Sequence, residues 1–231
     1  MRFNSDQIQK IGKEIRSKVD GKTLFDEFSR GRYSTDASVY QIKPLGVVLP
    51  KDTNDVLSLM EYSQKNSVPL LARGGGSSQC GQTVGESVVL DYSKHQNKIL
   101  ELNVEEKYVW VQPGVVLDHL NAYLKPHGLW FPVDVSTSSR ATIGGMSANN
   151  SCGSRSLYYG NMVHNVLAIE AILDDGSIFN FDQINKNYLA TKNNQDRLYK
   201  IIDKFIDVRQ QVGGEIDANW PTTQRRVGGY N

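Results

Sequence analysis

The spacing of apolar residues predicts helices alternating with short strands in the first third of the chain. Isoleucine and valine recur every three or four positions over 5–19, which is the period of an amphipathic helix, with a cap at Asn4 or at the serine after it. Apolar runs at 46–50 and 68–72 flank a segment with helical spacing that Asp52 can cap. A strand, a helix and a strand in this order predict a parallel pair joined by a right-handed crossover.

The middle of the chain has the pattern of further strands and one helix. Residues 87–91 are an apolar run that predicts a strand. Residues 98–102 and 108–111 alternate in hydrophobicity on either side of a charged turn, which predicts an antiparallel pair. Pro113-Gly114 ends this pair, and the apolar stripe that follows predicts a helix ending at His127-Gly128.

The last third of the chain predicts a hairpin and one more helix. Residues 166–173 and 177–181 are strand-like runs on either side of an Asp-Gly pair, which indicates a hairpin turn. Residues 195–212 have helical spacing, and residues 213–231 lack a periodic pattern. The predicted apolar face of this helix consists of Leu198, Ile201, Ile202, Phe205 and Val208.

The composition excludes several classes of protein. A net charge of +1 gives no electrostatic attraction to nucleic acid or to an anionic membrane surface. No apolar run approaches the roughly 18 residues of a membrane helix, and the N-terminus has no apolar signal region, so a cytoplasmic location is expected. Cys80 and Cys152 have no histidine cluster with which to build a zinc or iron–sulfur site. We therefore expect no metal, and we interpret both thiols as reduced packing residues.

The first glycine-rich segment, residues 73–85 (the first loop), is the strongest candidate for chemistry. It follows the run at 68–72, which is predicted to be a buried strand, so its glycines lie where the backbone must turn. Glycine permits positive φ, and successive N–H groups can then converge on an anion such as phosphate. An ordinary surface turn is the alternative. The loop lacks the lysine of a P-loop, and Gln79 stands where a dinucleotide fingerprint counted from Gly74 needs its third glycine.

A second segment, residues 136–153 (the second loop), crowds small, hydroxyl and amide side chains together. A core segment would contain more bulky apolar residues, and a disordered linker would contain more charge and proline. Two loops rich in hydrogen-bond donors suit a long ligand that has phosphates and a polar ring system.

A series of short motifs runs through the chain in a fixed order: 73–78, 81–85, 111–115, 141–145, 149–156 and Tyr159-Gly160. Together they resemble the FAD-binding domain of the p-cresol methylhydroxylase and vanillyl-alcohol oxidase superfamily. Within that superfamily the chain resembles the FAD-linked 2-hydroxy-acid dehydrogenases, which include the flavoprotein component of glycolate oxidase, D-lactate dehydrogenase and D-2-hydroxyglutarate dehydrogenases with an iron–sulfur domain. The resemblance extends from about Arg30 to Asn231.

The resemblance implies an α+β (α/β) fold with two FAD-binding subdomains of the p-cresol methylhydroxylase type. One is a small parallel βαβ subdomain, and the other has a larger mixed or antiparallel sheet with helices. We predict a helical lead-in at 1–40, subdomain 1 at 41–95, subdomain 2 at 96–212, and a truncated connector at 213–231 to a substrate domain beyond the chain.

The resemblance also implies which residues hold FAD. Gly74 to Ser78 would receive the pyrophosphate, 113–115 would lie toward the adenine, and the second loop would line the ribityl chain and the ring. Relatives that tether the flavin often have histidine in the first loop, where this chain has Ser77 and Ser78, so the FAD is expected to be non-covalent. The implied cofactor-binding residues are Arg73, Gly74, Gly75, Gly76, Ser77, Ser78, Gly81, Gln82, Pro113, Gly114, Val115, Pro132, Ser136, Ser138, Thr142, Gly144, Gly145, Asn149, Asn150, Ser151, Gly153, Tyr159 and Gly160.

The charges nearest these loops are Arg73, Arg140 and Arg155. Each can neutralise a phosphate or a reduced flavin anion, but we expect a solvated loop position for any one of them, since arginine is mostly exposed. The polar loop over 29–36 matches a stretch that precedes the flavin domain in the family and that lies near the cofactor in some members.

The function implied by the resemblance is oxidation of a small 2-hydroxy acid, such as D-lactate, glycolate or D-2-hydroxyglutarate, by hydride transfer to FAD. The electron acceptor is open between a quinone, a cytochrome and an iron–sulfur domain, and attachment at the inner membrane is the alternative to a free cytoplasmic location. No catalytic base is identified, because in the resembling enzymes it comes largely from a later domain. The alternatives are a non-enzymatic flavin or nucleotide carrier and an enzyme similar to UDP-N-acetylenolpyruvylglucosamine reductase.

Overall fold

The computed structural model describes residues 3–182 and 197–223. Its elements in chain order are α1 (Ser5–Arg16), β1 (Lys22–Leu24), α2 (Glu27–Arg32), β2 (Gly46–Leu49), α3 (Thr53–Asn66), β3 (Leu70–Arg73), β4 (Val88–Asp91), β5 (Ile99–Asn103), β6 (Tyr108–Val111), α4 (Leu117–Leu124), α5 (Ile143–Ala148), α6 (Ser156–Tyr159), α7 (Met162–Asn165), β7 (Ile169–Ile172), β8 (Ile178–Phe181) and α8 (Arg197–Asn219). A 3-10 turn at Lys125–His127 extends α4 to the predicted helix end.

Helix α1 begins where the sequence predicts. The Asn4 side chain accepts a hydrogen bond from the Gln7 N–H at 2.9 Å, and the Gln7 side chain accepts one from the Asn4 N–H at 2.8 Å. This reciprocal pair satisfies N–H groups that the first turn cannot satisfy internally. The predicted apolar face is buried through Ile8, Ile11 and Ile15.

The first half of the chain forms a four-stranded sheet in the order β1-β2-β4-β3. Strand β1 is antiparallel to β2, whereas β4 is parallel to both β2 and β3. The predicted parallel arrangement is therefore confirmed, but the prediction that β2 and β3 pair directly is wrong, because β4 lies between them. This position also makes β3 an edge strand, so it is only half-buried instead of the buried strand that its apolar composition predicted.

The core lies on both faces of this sheet. Val48, Val88 and Leu90 point to one face, where they pack with the apolar sides of α1 and α3. Their neighbours along the strands, among them Val47 and Val89, point to the other face and pack with Tyr33. This division follows the two-residue period of a strand, and it places the segment that follows α2 against the outer face of the sheet.

The second half contains the two predicted hairpins. Strands β5 and β6 are antiparallel, as are β7 and β8, whose turn is closed by Gly176 at a φ of +83°. Helix α4 buries its predicted stripe against β5 and β6. A mixture of helices with parallel and antiparallel strands confirms the α+β fold class.

Two features of the later chain differ from the sequence predictions. The segment named the second loop contains a short helix that the sequence pattern did not predict, α5, which Thr142 caps. Helix α8 does not end at Val212 but continues through two glycines to Asn219. Its predicted apolar face is only partly used, since Leu198 and Ile202 are buried whereas Phe205 is 73% exposed. The predicted start of this helix at Gln195 and the predicted connector beyond 223 lie outside the described residues.

Within 3–182 and 197–223, no helix combines the length and the hydropathy that a bilayer crossing requires.

Candidate functional site

The first loop leaves the four-stranded sheet at the carboxyl ends of its parallel strands. Arg73 is the last residue of β3, Asp91 is the last residue of β4, and the two residues are register partners. In open α/β sheets, ligands bind in the crevice outside the carboxyl ends of the strands. The topology therefore places the predicted phosphate-binding loop at the edge of the sheet where ligands bind.

The first and second loops pack directly against each other. A Cβ added at Gly74 would overlap the Thr142 hydroxyl, and one added at Gly75 would overlap the backbone carbonyl of Arg140. The Gln82 side-chain amide also donates to the Asn149 side chain at 3.0 Å. The two glycine-rich segments singled out in the sequence are therefore one structural unit, and the glycines at 74 and 75 permit this contact.

Positive φ in this loop occurs at Gly76 and Gly81, at +64° and +73°. The Arg73 guanidinium occupies the space beneath Gly76, where it would overlap any Cβ. A substitution at Gly76 would therefore be strained both by its backbone conformation and by the loss of this space.

Arg73 holds the first loop together from inside. Its guanidinium donates to the Thr83 carbonyl at 3.1 Å and to the Thr35 carbonyl at 2.9 Å, and it lies over the Tyr33 ring at 5.3 Å. Burial lowers the pKa of Arg73 from its ordinary value, and the neighbouring Asp91 opposes this decrease. The expectation that Arg73 is a solvated loop charge is therefore wrong, because its guanidinium is partly buried and is held by hydrogen bonds to two protein carbonyls.

Tyr33 and Asp91 form a hydrogen-bonded pair next to Arg73. The Tyr33 hydroxyl donates to the Asp91 carboxylate at 2.6 Å, and both residues are buried. Burial, together with the hydrogen bond to Asp91, raises the pKa of Tyr33, so this phenol stays protonated.

A cleft of about 310 Å³ opens beside the first loop. Gly75, Gly76 and Ser77 line this cleft, and within the described parts of the chain none of their backbone N–H groups donates to a protein acceptor. The cleft is also lined by Arg32, Thr35, Asp36, Ala37, Arg73, Thr137 and Arg140.

The wall formed by 32–37 is not part of the residue set derived from the sequence. Its polarity and the family resemblance of the segment 29–36 pointed to this region, but neither singled out individual residues. The structure joins it to the first loop, because the Ala37 N–H donates to the Ser78 carbonyl at 3.1 Å and the Thr83 hydroxyl donates to Asp36 at 3.0 Å. Burial raises the pKa of Asp36, but hydrogen bonds from Ser38 and Thr83 outweigh this effect and lower it below its ordinary value.

Backbone N–H groups of the second loop donate to acceptors elsewhere in the protein. At the start of α5, Ile143 N–H donates to the Val115 carbonyl at 2.8 Å and Gly144 N–H to the Pro113 carbonyl at 2.9 Å. Gly145 N–H is directed at the capping Thr142 hydroxyl at 3.4 Å. The N–H groups that could bind an anion at this helix start are therefore occupied, and the 113–115 turn provides the acceptors.

The end of the second loop is held by Asp134. Its carboxylate accepts a hydrogen bond from the Ser154 hydroxyl at 2.7 Å and from the Arg155 N–H at 3.0 Å, and Gly153 packs against its backbone so closely that a Cβ would overlap it. Burial raises the pKa of Asp134, but these hydrogen bonds outweigh it and lower the value. The Arg155 guanidinium lies over the Trp130 ring at 5.3 Å.

Among the remaining predicted cofactor residues, Asn150 and Ser151 lie near the end of the second loop, and Tyr159 and Gly160 follow it. Asn150 takes positive φ and accepts from the Val163 N–H, while Ser151 pairs with α5 and α7 through its backbone. Tyr159 contacts Trp130 edge-on at a centroid distance of 5.2 Å, and Gly160 follows it with a φ of +82°. The residues that lie outside the lining of the cleft are Gly74, Ser78, Gly81, Gln82, Pro113, Gly114, Val115, Pro132, Ser136, Ser138, Thr142, Gly144, Gly145, Asn149, Asn150, Ser151, Gly153, Tyr159 and Gly160.

The donor set of the cleft fits a phosphate group. Successive unpaired backbone N–H groups in a turn form an anion-binding concavity, and guanidinium groups recognise phosphate oxygens in a planar, bidentate manner. The three arginines and one aspartate that line the cleft leave a surplus of two positive charges, since 3 − 1 = 2. No group of histidine, cysteine, aspartate and glutamate suited to a metal ion occurs among residues 3–182 and 197–223.

Comparison with known proteins gives a family for most of this region. A family model described as "FAD binding domain" matches residues 44–182. The chain is 37% identical over 218 residues to D-2-hydroxyglutarate dehydrogenase from Escherichia coli (strain K12), which covers 91% of the chain and 21% of that protein. It is 37% identical over 176 residues to glycolate oxidase subunit GlcD from Bacillus subtilis (strain 168), covering 74% of the chain and 37% of that protein.

The fold is similar to that of p-cresol methylhydroxylase solved with substrate bound. The TM-score is 0.61 at 18% identity, and the match covers 77% of this chain and 36% of that one. The predicted fold is thereby confirmed. The chain spans about a fifth of the length of the D-2-hydroxyglutarate dehydrogenase that it matches.

Proposed function

The chain belongs to the family of FAD-binding domains, and on that premise we propose that it forms the FAD-binding part of an oxidoreductase that oxidises a small 2-hydroxy acid. The relatives named above are a D-2-hydroxyglutarate dehydrogenase and a component of a glycolate oxidase, and both names refer to a 2-hydroxy acid. This shared chemistry supports the substrate class without selecting one acid from it.

One observation of the site carries the proposal. Gly75, Gly76 and Ser77, whose N–H groups have no protein acceptor among the described residues, line a cationic cleft, and the same loop packs on the second loop. A long dinucleotide needs a phosphate site next to a surface that can accept its ring systems, and the contact between the two loops supports a site that extends over both. We therefore assign the pyrophosphate to the first loop and the flavin side of the cofactor to the second loop.

The residues of the chain would bind and orient the cofactor rather than perform the redox chemistry. When bound, FAD supplies the acceptor for the hydride that leaves the substrate carbon. Gln82 and Asn149 hold the two loops in register, and Asp134 fixes the end of the second loop. We propose that the cofactor is non-covalent, because Ser77 and Ser78 offer only weakly nucleophilic hydroxyl groups at the first loop.

We further propose a division of the chain that follows this site. Residues 41–95 contribute the parallel strands and the first loop, and 96–212 contribute the hairpins and the second loop, with 1–40 as a lead-in and 213–231 as a connector. Helix α8 crosses the last of these boundaries.

Calorimetry tests the assignment of FAD. We expect FAD to bind the chain more tightly than FMN or NAD, because only FAD combines a flavin with a pyrophosphate and an adenine. Equal affinity for FMN and FAD would contradict a site that extends over both loops.

The non-covalent state is tested by acid precipitation of the flavin-loaded protein. Yellow flavin is expected in the supernatant, and fluorescence that stays with the denatured polypeptide on a gel would contradict it.

The activity is tested separately. The flavin-loaded product of the whole reading frame is mixed anaerobically with D-2-hydroxyglutarate, glycolate and D-lactate. Loss of the oxidised flavin absorbance with one of these acids is expected, and its absence with all three would refute the substrate class.

A further inference from the structure

The cleft has a wall that lies outside the region matched by the family model. That model begins at residue 44, whereas Arg32, Thr35, Asp36 and Ala37 line the cleft opposite the first loop. Arg32 is the last residue of α2 and the other three follow this helix, so the fold of the lead-in decides where they lie.

This wall is bonded to the first loop at several points. Thr35 accepts from the Arg73 guanidinium at 2.9 Å, Asp36 accepts from the Thr83 hydroxyl at 3.0 Å, and Ala37 donates to Ser78 at 3.1 Å. A second hydrogen bond, from the Ser38 N–H at 2.8 Å, occupies the other oxygen of Asp36. The Asp36 carboxylate is thus used in fixing the wall, and it is not free to bind a cation in the cleft.

The arginines of the cleft differ in how many of their donors are available. Arg73 uses one N–H of each terminal nitrogen on a protein carbonyl, and its guanidinium lies between the Tyr33 ring and Gly76. Arg32 and Arg140 are exposed, and within the described residues neither side chain has a hydrogen-bonded or ion-paired partner. Arg32 is only within 5.9 Å of the Phe28 ring. Arg32 and Arg140, whose side chains have no hydrogen-bonded or ion-paired partner among the described residues, therefore line the same cleft as Gly75 and Gly76.

We propose that Arg32, together with Arg140, binds the phosphates of the dinucleotide, so that the lead-in is part of the cofactor site and not only a spacer before it. This proposal rests on the proposed function and adds two ligand-binding residues to it. A pyrophosphate diester carries a negative charge on each phosphate, which matches the surplus of two positive charges among the lining residues. Because both arginines are exposed, they can close on the phosphates without breaking an existing ion pair.

The test uses FAD and ADP as probes, since both contain the pyrophosphate and only one contains the flavin. Arg32→Gln is expected to lower the affinity for FAD and for ADP by a similar factor of about ten, the effect of losing one partly solvated charged hydrogen bond. Arg32→Lys should recover part of the loss, because it keeps the charge but not the planar fork. The loss should shrink in high salt, which screens exposed charges.

The matched control is Arg209→Gln, which removes one exposed positive charge on α8, away from the lining of the cleft. It should leave both affinities unchanged. Thermal unfolding without ligand verifies that Arg32→Gln is folded, and Arg140→Gln provides an independent second variant.

The outcomes separate this proposal from the proposed function. If the wild-type chain binds no FAD, the proposed function fails. If it binds FAD but not ADP, or if Arg32→Gln lowers FAD affinity while leaving ADP affinity intact, Arg32 does not bind the phosphates. Unchanged affinity for both probes in Arg32→Gln would likewise overturn the inference.

Discussion

Gly75 is constrained by the second loop. A side chain at this position would point into the Arg140 carbonyl, and because the nearest atoms all belong to the backbone of residues 140 and 141, they have little freedom to move aside. Gly75→Ala is therefore expected to lower the free energy of unfolding of the flavin-free protein by about 2 kcal/mol, as overpacking of a tight contact does. Urea denaturation measures it.

Gly31→Ala provides the control for this change. Gly31 lies in α2, and an added Cβ would meet no atom within 4 Å. Because alanine favours a helix over glycine by up to about 1 kcal/mol, this variant should be as stable as the wild type or slightly more stable. If Gly75→Ala unfolds at the same urea concentration as Gly31→Ala, the two loops do not pack as described.

The Tyr33–Asp91 pair is a buried support for the first loop. Tyr33→Phe removes the donor and leaves a carboxylate oxygen buried with one fewer hydrogen bond, although the Ser93 N–H still serves the other oxygen at 2.8 Å. We expect a loss of about 2 kcal/mol in the free energy of unfolding, the usual cost of a buried hydrogen bond to a charged group.

An exposed pair of the same chemistry serves as the comparison. The Tyr108 hydroxyl donates to Glu101 at 2.7 Å on the surface of the β5–β6 hairpin. Water can replace this bond, so Tyr108→Phe should change the stability little. Equal losses in both variants would show that burial does not strengthen the Tyr33 pair.

At the scale of elements, two aspartates connect segments that are far apart in the chain. Asp36 joins the lead-in to the first loop, and Asp134 joins the start of the second loop to its end. The pKa of each is lowered in the folded protein from the ordinary value of 3.8. A lowered folded pKa contributes stability that is present above the unfolded pKa and is lost as the pH falls through the folded pKa.

We therefore expect the free energy of unfolding to fall as the pH is lowered from about 5 to below the ordinary aspartate value. Asp36→Asn and Asp134→Asn should each flatten this decrease, because an amide does not titrate. The measurement is urea denaturation at a series of pH values. A decrease that is as steep in the double variant as in the wild type would assign the acid sensitivity to other carboxylates.

The elements themselves could be predicted where a single segment contains its own signals. The cap at Asn4, the Asp-Gly turn at Gly176 and the stripe of α4 are local patterns, and the structure has all three. The insertion of β4 between β2 and β3 could not be predicted, since strand order depends on contacts between distant segments.

The candidate site, too, could be predicted from the sequence only in part. The glycines and hydroxyl residues of the two loops are recognisable as motifs, whereas Arg32 and Asp36 lie in an unremarkable polar segment. They reach the cleft because α2 and the pair between Tyr33 and Asp91 fold the lead-in onto the sheet. The sequence also did not reveal that backbone N–H groups of the second loop are already hydrogen-bonded within the protein. These bonds form only because the 113–115 turn packs against the start of α5.

At the scale of the whole molecule, the chain corresponds to 21% of the D-2-hydroxyglutarate dehydrogenase from Escherichia coli and 37% of GlcD. Oxidation of a hydroxy acid requires a base for the hydroxyl proton and a site for the carboxylate, both in contact geometry with the flavin. Such positioning contributes about 7 kcal/mol or more to catalysis.

The cleft offers a poor base. Among the described residues that line it, Asp36 is the sole carboxylate, both of its oxygens accept hydrogen bonds, and its lowered pKa makes it a weaker proton acceptor than an ordinary aspartate. No histidine lines this part of the described structure. Arg32 and Arg140 could bind a carboxylate, but the phosphates of the cofactor compete for them.

We therefore expect residues 1–231 alone, loaded with FAD, to show no turnover of a 2-hydroxy acid. The flavin-loaded chain is mixed under anaerobic conditions with D-2-hydroxyglutarate, glycolate and D-lactate, and the flavin absorbance is followed over time. Dithionite provides the control, because it must bleach the same sample if the flavin is accessible and redox-active. Bleaching by any of the three acids at an enzyme-like rate would show that this chain carries its own base. Asp36→Asn would then be the first variant to measure, since a rate that survives it would place the base outside the cleft.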